Sequence, residues 1–302
     1  MKSHRLLTTG LFVAALSAPA LAQDDPAIAK ARAIQAKIIT MDTHVDIPLN
    51  FGTDAYDMMK PQRGQQVHLP TMISGGYDAP FLAVFVGQGE RNTAGYAKAL
   101  SEAFAKFASI HKLAEQQYPD KIGLAVLAAD ARRIHASGKK VALIGIENGY
   151  LMGKDIRLLD QFYDYGARYF GLVHNGHNDL ADSAQPDKRR NEPATEWNGV
   201  SPLGKQVVKR LNELGIMVDV SHSSDKSTMD ILALSAAPII ASHSGVKALN
   251  DHPRNLSDAA LEGIKRNGGV AQIVAFDSYL RAVPAEKTAA IAALDKEMGL
   301  DQ

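Results

Sequence analysis

Short, continuous runs of apolar residues alternate along the chain with longer stretches in which apolar residues recur every three or four positions. The runs consist mostly of β-branched and aliphatic residues, as is typical of strands that are covered on both faces. The longer stretches have the period of amphipathic helices. This alternation indicates a parallel sheet built from βαβ units. The predicted strands are 38–41, 80–86, 141–146, 169–173, 217–220, 239–241 and 270–275.

Residues that start and stop helices lie between the predicted strands. Ser201 followed by Pro202 is typical of a helix N-terminus, and Gly215 stands where that helix is expected to end. No linker rich in Pro, Gly or Ser divides the chain, so we predict a single domain over residues 23–302. After the seventh predicted strand, residues 277–302 have mainly the pattern of one Ala-rich helix.

Polar residues that can bind metals follow most of the predicted strands. They are His44, Asp46, Glu147, His174, His222 and His243. The carboxyl ends of all strands converge in a (β/α)8 barrel, whereas a doubly wound sheet does not easily bring so many successive strand ends together. We therefore predict an α/β fold of the metal-dependent-hydrolase type. It is a (β/α)8 TIM barrel that is incomplete at the C-terminus, because the eighth strand is absent.

The amino-acid composition limits the partners and the metal ligands that this chain can have. Lys+Arg and Asp+Glu both number 33, so there is no basic excess for a phosphate backbone, and nucleic acid is not an expected partner. Without cysteine, a metal must be held by His and carboxylate, which suits zinc, manganese or iron. Glu147, in the middle of the polar set, is suited to bridge two ions, and the expected reaction is metal-assisted hydrolysis. Histidines outside this pattern, such as His177, are expected to be structural.

Residues 1–22 have the pattern of a secretory signal peptide. Lys2 and Arg5 precede an apolar run that is too short to span a bilayer, and Ala20-Leu21-Ala22 is an A-x-A cleavage pattern. We therefore expect an exported mature protein, periplasmic or secreted, without a membrane anchor.

Five segments of the chain resemble the membrane (renal) dipeptidase family, the M19 metallopeptidases. They are 42–46 (DTHVD), 146–149 (IENG), 172–175 with 181–183 (LVHN and ADS), 218–225 (VDVSHSSD), and 241–244 with 252–255 (ASHS and HPRN). Each segment alone is a weak signal, but their shared order and spacing from Ile38 to Phe276 are highly specific.

The resemblance implies a barrel with two zinc ions that hydrolyses dipeptides through a metal-bound hydroxide, often with a D-residue at the carboxyl end. By position, the metal ligands are His44 and Asp46 on the first zinc, Glu147 between both, and His222 and His243 on the second. His174 would stabilise the developing oxyanion, and Arg254 would bind the carboxylate of the substrate. Glu147 and His174 are thus the expected catalytic residues, and His174 and Arg254 the expected contacts to the dipeptide.

The chain departs from the family in one respect. The family carries a further aspartate after the eighth strand, as a ligand of the first zinc and a proton carrier. The 302-residue sequence contains no such segment, and Asp277, after the seventh predicted strand, does not match it by position. We therefore expect weak or no dipeptidase activity from this chain. Unpaired edges on the first and seventh strands should also make it unstable as a monomer or drive homo-oligomerisation.

The sequence is also compatible with two alternatives. One is another metal-dependent amide hydrolase of the same barrel type, acting on a lactam or an N-acyl amino acid. The other is a truncated relative that binds metal or peptide without turnover. An assay with and without a chelator separates the enzyme from the binder, and a substrate panel separates the two enzymes.

Overall fold

The structure is a computed structural model, and it describes residues 25–61, 65 and 67–299. The predicted signal peptide, residues 1–22, lies outside this part of the chain. The chain divides into two compact units, the first ending at Ile38 and the second beginning at Ile39. In the first unit, helix α1 (Pro26–Gln35) follows Asp25, whose side chain caps the helix by accepting a hydrogen bond from the Ala27 amide at 2.8 Å.

Parallel strands form the centre of the second unit. In spatial order they are β1 (Met41–Asp46), β2 (Ala79–Phe85), β4 (Lys140–Glu147), β5 (Ala167–Gly171), β6 (Met217–Asp219), β7 (Ile240–Ser244) and β8 (Val270–Ile273). Six of these seven match a predicted strand, whereas β1 overlaps its predicted strand only at Met41. The short strand β3 (Ile122–Leu124) was not predicted, and it pairs with the first residues of β4, outside this continuous order.

The first strand was predicted too early in the sequence. Strand β1 begins at Met41 and includes both His44 and Asp46, whereas the apolar pattern placed it at 38–41. The difference has a physical cause, since polar residues directed into a functional site interrupt the hydrophobic pattern that marks a strand.

The sheet curls almost into a closed barrel and leaves one seam. The Thr43 hydroxyl of β1 donates to the Ser242 carbonyl of β7 at 2.6 Å, which brings β1, at one end of the sheet, close to the strand before β8 at the other. Among the described strands β8 pairs only with β7, and Val270 and Ile273 on it are about half exposed. Over the residues that the structure describes, the prediction of a (β/α)8-type barrel without its closing strand is confirmed.

Helices of the second unit cover the outside of the sheet, apart from the last two, which bury no residues. The helices of this unit are α2 (Leu69–Gly75), α3 (Thr93–Lys112), α4 (Ala128–Ala136), α5 (Leu158–Asp164), α6 (Pro202–Leu214), α7 (Asp225–Leu234), α8 (Asp258–Asn267), α9 (Asp277–Leu280) and α10 (Ala285–Glu297). Helix α6 has the predicted ends: the Ser201 hydroxyl accepts from the Gly204 amide at 2.9 Å, and Gly215 adopts a left-handed φ of 79°. None of the helices in the described part of the chain is long and apolar enough to cross a membrane.

The core lies between the sheet and these helices and inside the barrel. Strands β2 and β4 are buried along nearly their whole length, and aromatic residues such as Phe107 and Phe162, with ring centroids 5.9 Å apart, fill the space beneath the helices. This packing fixes the strands, so the side chains at their carboxyl ends project from a rigid base.

Candidate metal centre

Glu147 occupies the middle of the polar cluster at the carboxyl ends of the strands. It is the last residue of β4 and is buried, and its two carboxylate oxygens face different histidines. Oε2 lies 3.5 Å from His44 Nε2, whereas Oε1 lies 2.9 Å from His222 Nε2 and 3.3 Å from His243 Nε2. One carboxylate therefore joins the ends of β1, β6 and β7.

The imidazole rings around Glu147 pack against one another. The rings of His44 and His243 are stacked with centroids 3.8 Å apart, and those of His174 and His222 are 4.1 Å apart. Two groups of three residues have their ligand atoms within 4.8 Å of one another: His44, Glu147 and His243, and Glu147, His174 and His222. The histidines that the sequence placed at separate strand ends are thus brought together around one carboxylate.

Burial and charge set the protonation of the cluster. Burial raises the pKa of Glu147, but the imidazoles of His44, His222 and His243 outweigh it and hold the pKa well below its usual range. Burial lowers the pKa of His44, yet the carboxylates of Glu147 and Asp46 raise it overall to about 9. Burial also keeps the pKa values of His222 and His243 below 6.5, so both rings are neutral at pH 7.

The Nδ1 atoms of His44, His222 and His243 each have a hydrogen-bonding partner, and the Nε2 atom of each ring faces Glu147. The Asn175 amide oxygen, an acceptor, lies 3.1 Å from His222 Nδ1, so that ring carries its proton on Nδ1. The Tyr169 hydroxyl lies 3.0 Å from His44 Nδ1, and the Ser242 hydroxyl lies 2.8 Å from His243 Nδ1. The Nε2 atoms of the neutral His222 and His243 rings form, with the Glu147 carboxylate, a donor set that fits a divalent metal ion, and His44 would release its proton on binding one.

Tyr169 reaches His44 because glycine opposes it on the neighbouring strand. A Cβ atom added at Gly145 would lie 1.9 Å from Cζ of the tyrosine, so only glycine leaves room for the ring in the barrel. The sequence alone indicated no role for Tyr169, Asn175 or Ser242. Tyr169 stands within an apolar run, and the other two adjoin a predicted ligand, so adjacency was the only signal they offered.

Asp46 and Asp277, two acidic residues considered from the sequence, lie at the margin of the cluster or outside it. Asp46 Oδ1 is 3.7 Å from His44 Nε2, but the carboxyl group is 71% exposed and joins neither group of three. Asp277 begins α9 and accepts a hydrogen bond from Arg281 Nε at 2.5 Å on the surface, as a structural residue would.

Arg254 lies beside the cluster with part of its guanidinium unused. It is 3% exposed, and its Nη2 donates to the His243 carbonyl at 3.1 Å. Its Cζ lies 5.3 Å from the centroid of the Tyr279 ring, and its Nε has no hydrogen-bond partner among the described residues. A buried donor of this kind is suited to an anionic group.

The sequence of this chain is similar to that of known dipeptidases. The family model of "Membrane dipeptidase (Peptidase family M19)" matches residues 28–298. Dipeptidase tcpJ of Claviceps purpurea (strain 20.1) is 33% identical over 211 residues, which are 68% of this chain and 48% of that protein. Dipeptidase verJ of Clonostachys rogersoniana is 37% identical over 164 residues, which are 54% of this chain and 40% of the relative. The chain thus spans half or less of the length of these curated relatives.

Solved structures show the same fold. The probable dipeptidase PvdM from Pseudomonas aeruginosa superimposes with a TM-score of 0.83 at 34% identity, covering 90% of this chain and 69% of that one. A metallo peptidase from Rhodobacter sphaeroides was solved with a phosphinate mimic of the dipeptide L-Ala-D-Ala. It superimposes with a TM-score of 0.66 at 22% identity, covering 87% of this chain and 83% of that one. The second similarity is one of fold alone.

Proposed function

The chain belongs to the membrane dipeptidase family, peptidase family M19, and on that premise we propose that it hydrolyses dipeptides with two zinc ions held around Glu147. The convergence of three imidazole Nε2 atoms on one buried carboxylate supports this proposal most directly. When bound, such ions polarise the scissile carbonyl and activate water. A D-residue at the carboxyl end of the dipeptide and export of the mature chain, from the pattern of residues 1–22, belong to the same proposal.

The two oxygens of Glu147 suggest how the ligands divide. His222 and His243 both face Oε1, and their Nε2 atoms are 2.9 Å apart, which supports a shared second ion. His44 faces Oε2 with Asp46 beside it, which supports the first ion at that oxygen. The groups of three cross this division, because they also place His243 with His44. We therefore keep the assignment of His44 and Asp46 to one ion and of His222 and His243 to the other as the hypothesis to test.

His174 and Arg254 would act on the substrate. The His174 ring is packed between Phe85, at 4.6 Å, and His222, and burial lowers its pKa, so it is a neutral donor at pH 7. A fixed N–H beside the scissile carbonyl would stabilise the charge that develops on its oxygen. The Arg254 guanidinium, with its unused Nε, would hold the terminal carboxylate and so fix which end of the dipeptide enters first.

Metal removal tests the function as a whole. Purified protein stripped with a chelator should lose any hydrolysis of L,L- and L,D-dipeptides and regain it with zinc, and N-acyl amino acids and lactams should be poor substrates. Hydrolysis that persists in metal-free protein would exclude the metallopeptidase mechanism. Preference for the acylated amino acids or lactams would favour the other amide hydrolase, and binding of zinc and dipeptide without turnover would favour the non-catalytic binder.

Replacing Arg254 with lysine tests the carboxylate contact. Arg254→Lys keeps the charge but loses the two-pronged geometry, so Kd or KM for a dipeptide should rise about 10- to 100-fold, and that for its C-terminal amide much less. Arg168→Lys is a matched control, because Arg168 donates to the carbonyls of Val126, Tyr163 and Ala167 and has no carboxylate partner among its hydrogen bonds. Equal losses on dipeptide and amide in Arg254→Lys would make Arg254 structural.

A further inference from the structure

Asp219 is a buried carboxylate that the proposed reaction does not use. It ends β6 and is 1% exposed. Its Oδ1 accepts hydrogen bonds from the backbone amides of Ser221 at 3.0 Å and Ser242 at 2.9 Å, and its Oδ2 accepts from the Ser242 hydroxyl at 2.6 Å. Asp219 therefore contacts the segments that carry His222 and His243 without touching either ring.

The backbone alone does little to align these two segments. The strands β6 and β7 share a single register pair, Asp219 with Ile240. Beyond it the alignment depends on side chains: the Asp219 carboxylate binds the Ser221 and Ser242 amides, and the Ser221 hydroxyl accepts from the His243 amide at 2.9 Å. The carboxylate takes the place of the ladder hydrogen bonds that a longer strand pair would have.

The single hydrogen of the Ser242 hydroxyl determines which nitrogen of His243 donates to it. A carboxylate only accepts hydrogen bonds, so the single hydroxyl hydrogen of Ser242 is donated to Asp219. The same hydroxyl oxygen lies 2.8 Å from His243 Nδ1, and it has no second hydrogen to offer there, so it accepts from Nδ1–H. His243 therefore carries a proton on Nδ1, and Nε2 is the nitrogen that faces Glu147, 3.3 Å from its Oε1.

We propose that Asp219 is a positioning residue that acts through Ser242 to hold His243 in the Nδ1–H tautomer and so keeps Nε2 free for a metal ion. This inference rests on the proposed role of His243 as a ligand. The chain of contacts is Asp219 Oδ2 to Ser242 Oγ to His243 Nδ1, and each contact is within hydrogen-bonding distance. An orienting partner behind a metal-binding histidine typically changes metal affinity by about 10- to 100-fold.

The hydrogen bonds from Asp219 through Ser242 to His243 form a relay. Asp219→Asn is the decisive variant because it reverses the direction of these hydrogen bonds without changing the shape of the side chain at position 219. The amide oxygen can still accept from the two backbone amides, which leaves the NH2 group facing Ser242. That group must donate to the Ser242 oxygen, so the hydroxyl hydrogen turns to His243 Nδ1 and the ring proton moves to Nε2. We expect zinc affinity to fall about 10- to 100-fold. Ser242→Ala removes the relay without reversing it and should lower the zinc affinity less than Asp219→Asn does.

The measurement is made first on metal-free protein. Correlation spectra of 15N-labelled histidine rings report the tautomer, and the spectrum of His243→Ala identifies the His243 signals. Wild type should show Nδ1–H and Asp219→Asn should show Nε2–H, after which competition with a chromogenic chelator gives the zinc affinity of each. Asp182→Asn is the matched control. Asp182 is equally buried and accepts from the Gly199 amide at 2.9 Å and from Thr195, but it does not contact His243, whose tautomer should be unchanged.

The outcomes separate this inference from the proposed function. An unchanged tautomer in Asp219→Asn would overturn the relay. A zinc loss in Asp219→Asn no larger than in Ser242→Ala, tracking the fall in melting temperature, would do the same and leave Asp219 a structural residue. If wild type binds no zinc, the proposed function fails, while the tautomers of the metal-free variants still decide whether Asp219 orients His243.

Discussion

Replacing Glu147 with glutamine is expected to remove most of the bound zinc and to lower turnover at least about a hundredfold. The substitution keeps the size of the side chain but removes the negative charge that His44, His222 and His243 share. Removing one partner of a buried charge cluster costs about 3–5 kcal/mol, because the remaining charge is buried without compensation. Zinc content of the purified protein is the first measurement, and dipeptide hydrolysis is the second.

Glu115→Gln provides the matched control for this substitution. Glu115 also pairs with a histidine, at 2.8 Å from His111 Nδ1, but its side chain is mostly exposed. An exposed pair of this kind contributes at most about 1 kcal/mol, so zinc content and turnover should stay at the wild-type level. A Glu147→Gln protein that kept its full zinc content would show that the carboxylate is not a ligand.

The order of elements followed from hydrophobic patterning, and the exceptions have local causes. The buried strands β2 and β4 are continuous apolar runs, so the pattern located them to within one or two residues. Strand β3 was not predicted because its three residues, Ile122, Gly123 and Leu124, are too few to form an apolar run or to show a hydrophobic period. Its pairing with β4 is a tertiary contact that no short window of sequence contains.

The ligand histidines were predictable for a topological reason, whereas the residues that orient them were not. Parallel strands in a barrel all end on one face, so His174, His222 and His243 had to meet once the fold was assumed. The partner of His44 is Tyr169, 125 residues away in sequence, and it approaches only because Gly145 is small. Such pairs depend on side-chain packing between strands, which periodicity does not encode.

His177 shows that a histidine can be buried near this face and still be structural. Its Nδ1 accepts from the Ser183 amide at 3.0 Å, and its Nε2 lies 2.9 Å from the Pro193 carbonyl, so both ring nitrogens are used by the backbone. The sequence prediction of a structural role agrees with these contacts. The distinction between ligand and structural histidine therefore depends on whether one nitrogen is left for an ion.

Single replacement of His222 or His243 with alanine is expected to lower bound zinc by about one equivalent, because a site that loses one of few ligands no longer retains its ion during purification. Both Nε2 atoms face the same oxygen of Glu147, so we expect the two residues to share that ion. The measurement is zinc per chain by elemental analysis. His177→Ala serves as the control, and it should lower the melting temperature while leaving the zinc content unchanged.

The double variant of His222 and His243 decides how the ligands are divided between the ions. If both hold the second ion, the double variant loses about one equivalent, no more than either single variant, because the same site is removed each time. If instead His243 joins His44 on one ion and His222 joins His174 on the other, as the groups of three within 4.8 Å would allow, the double variant loses about two equivalents. We expect the first result, because His222 and His243 converge on Oε1 whereas His44 faces Oε2. Loss of two equivalents would overturn the shared site and pair His243 with His44 and His222 with His174.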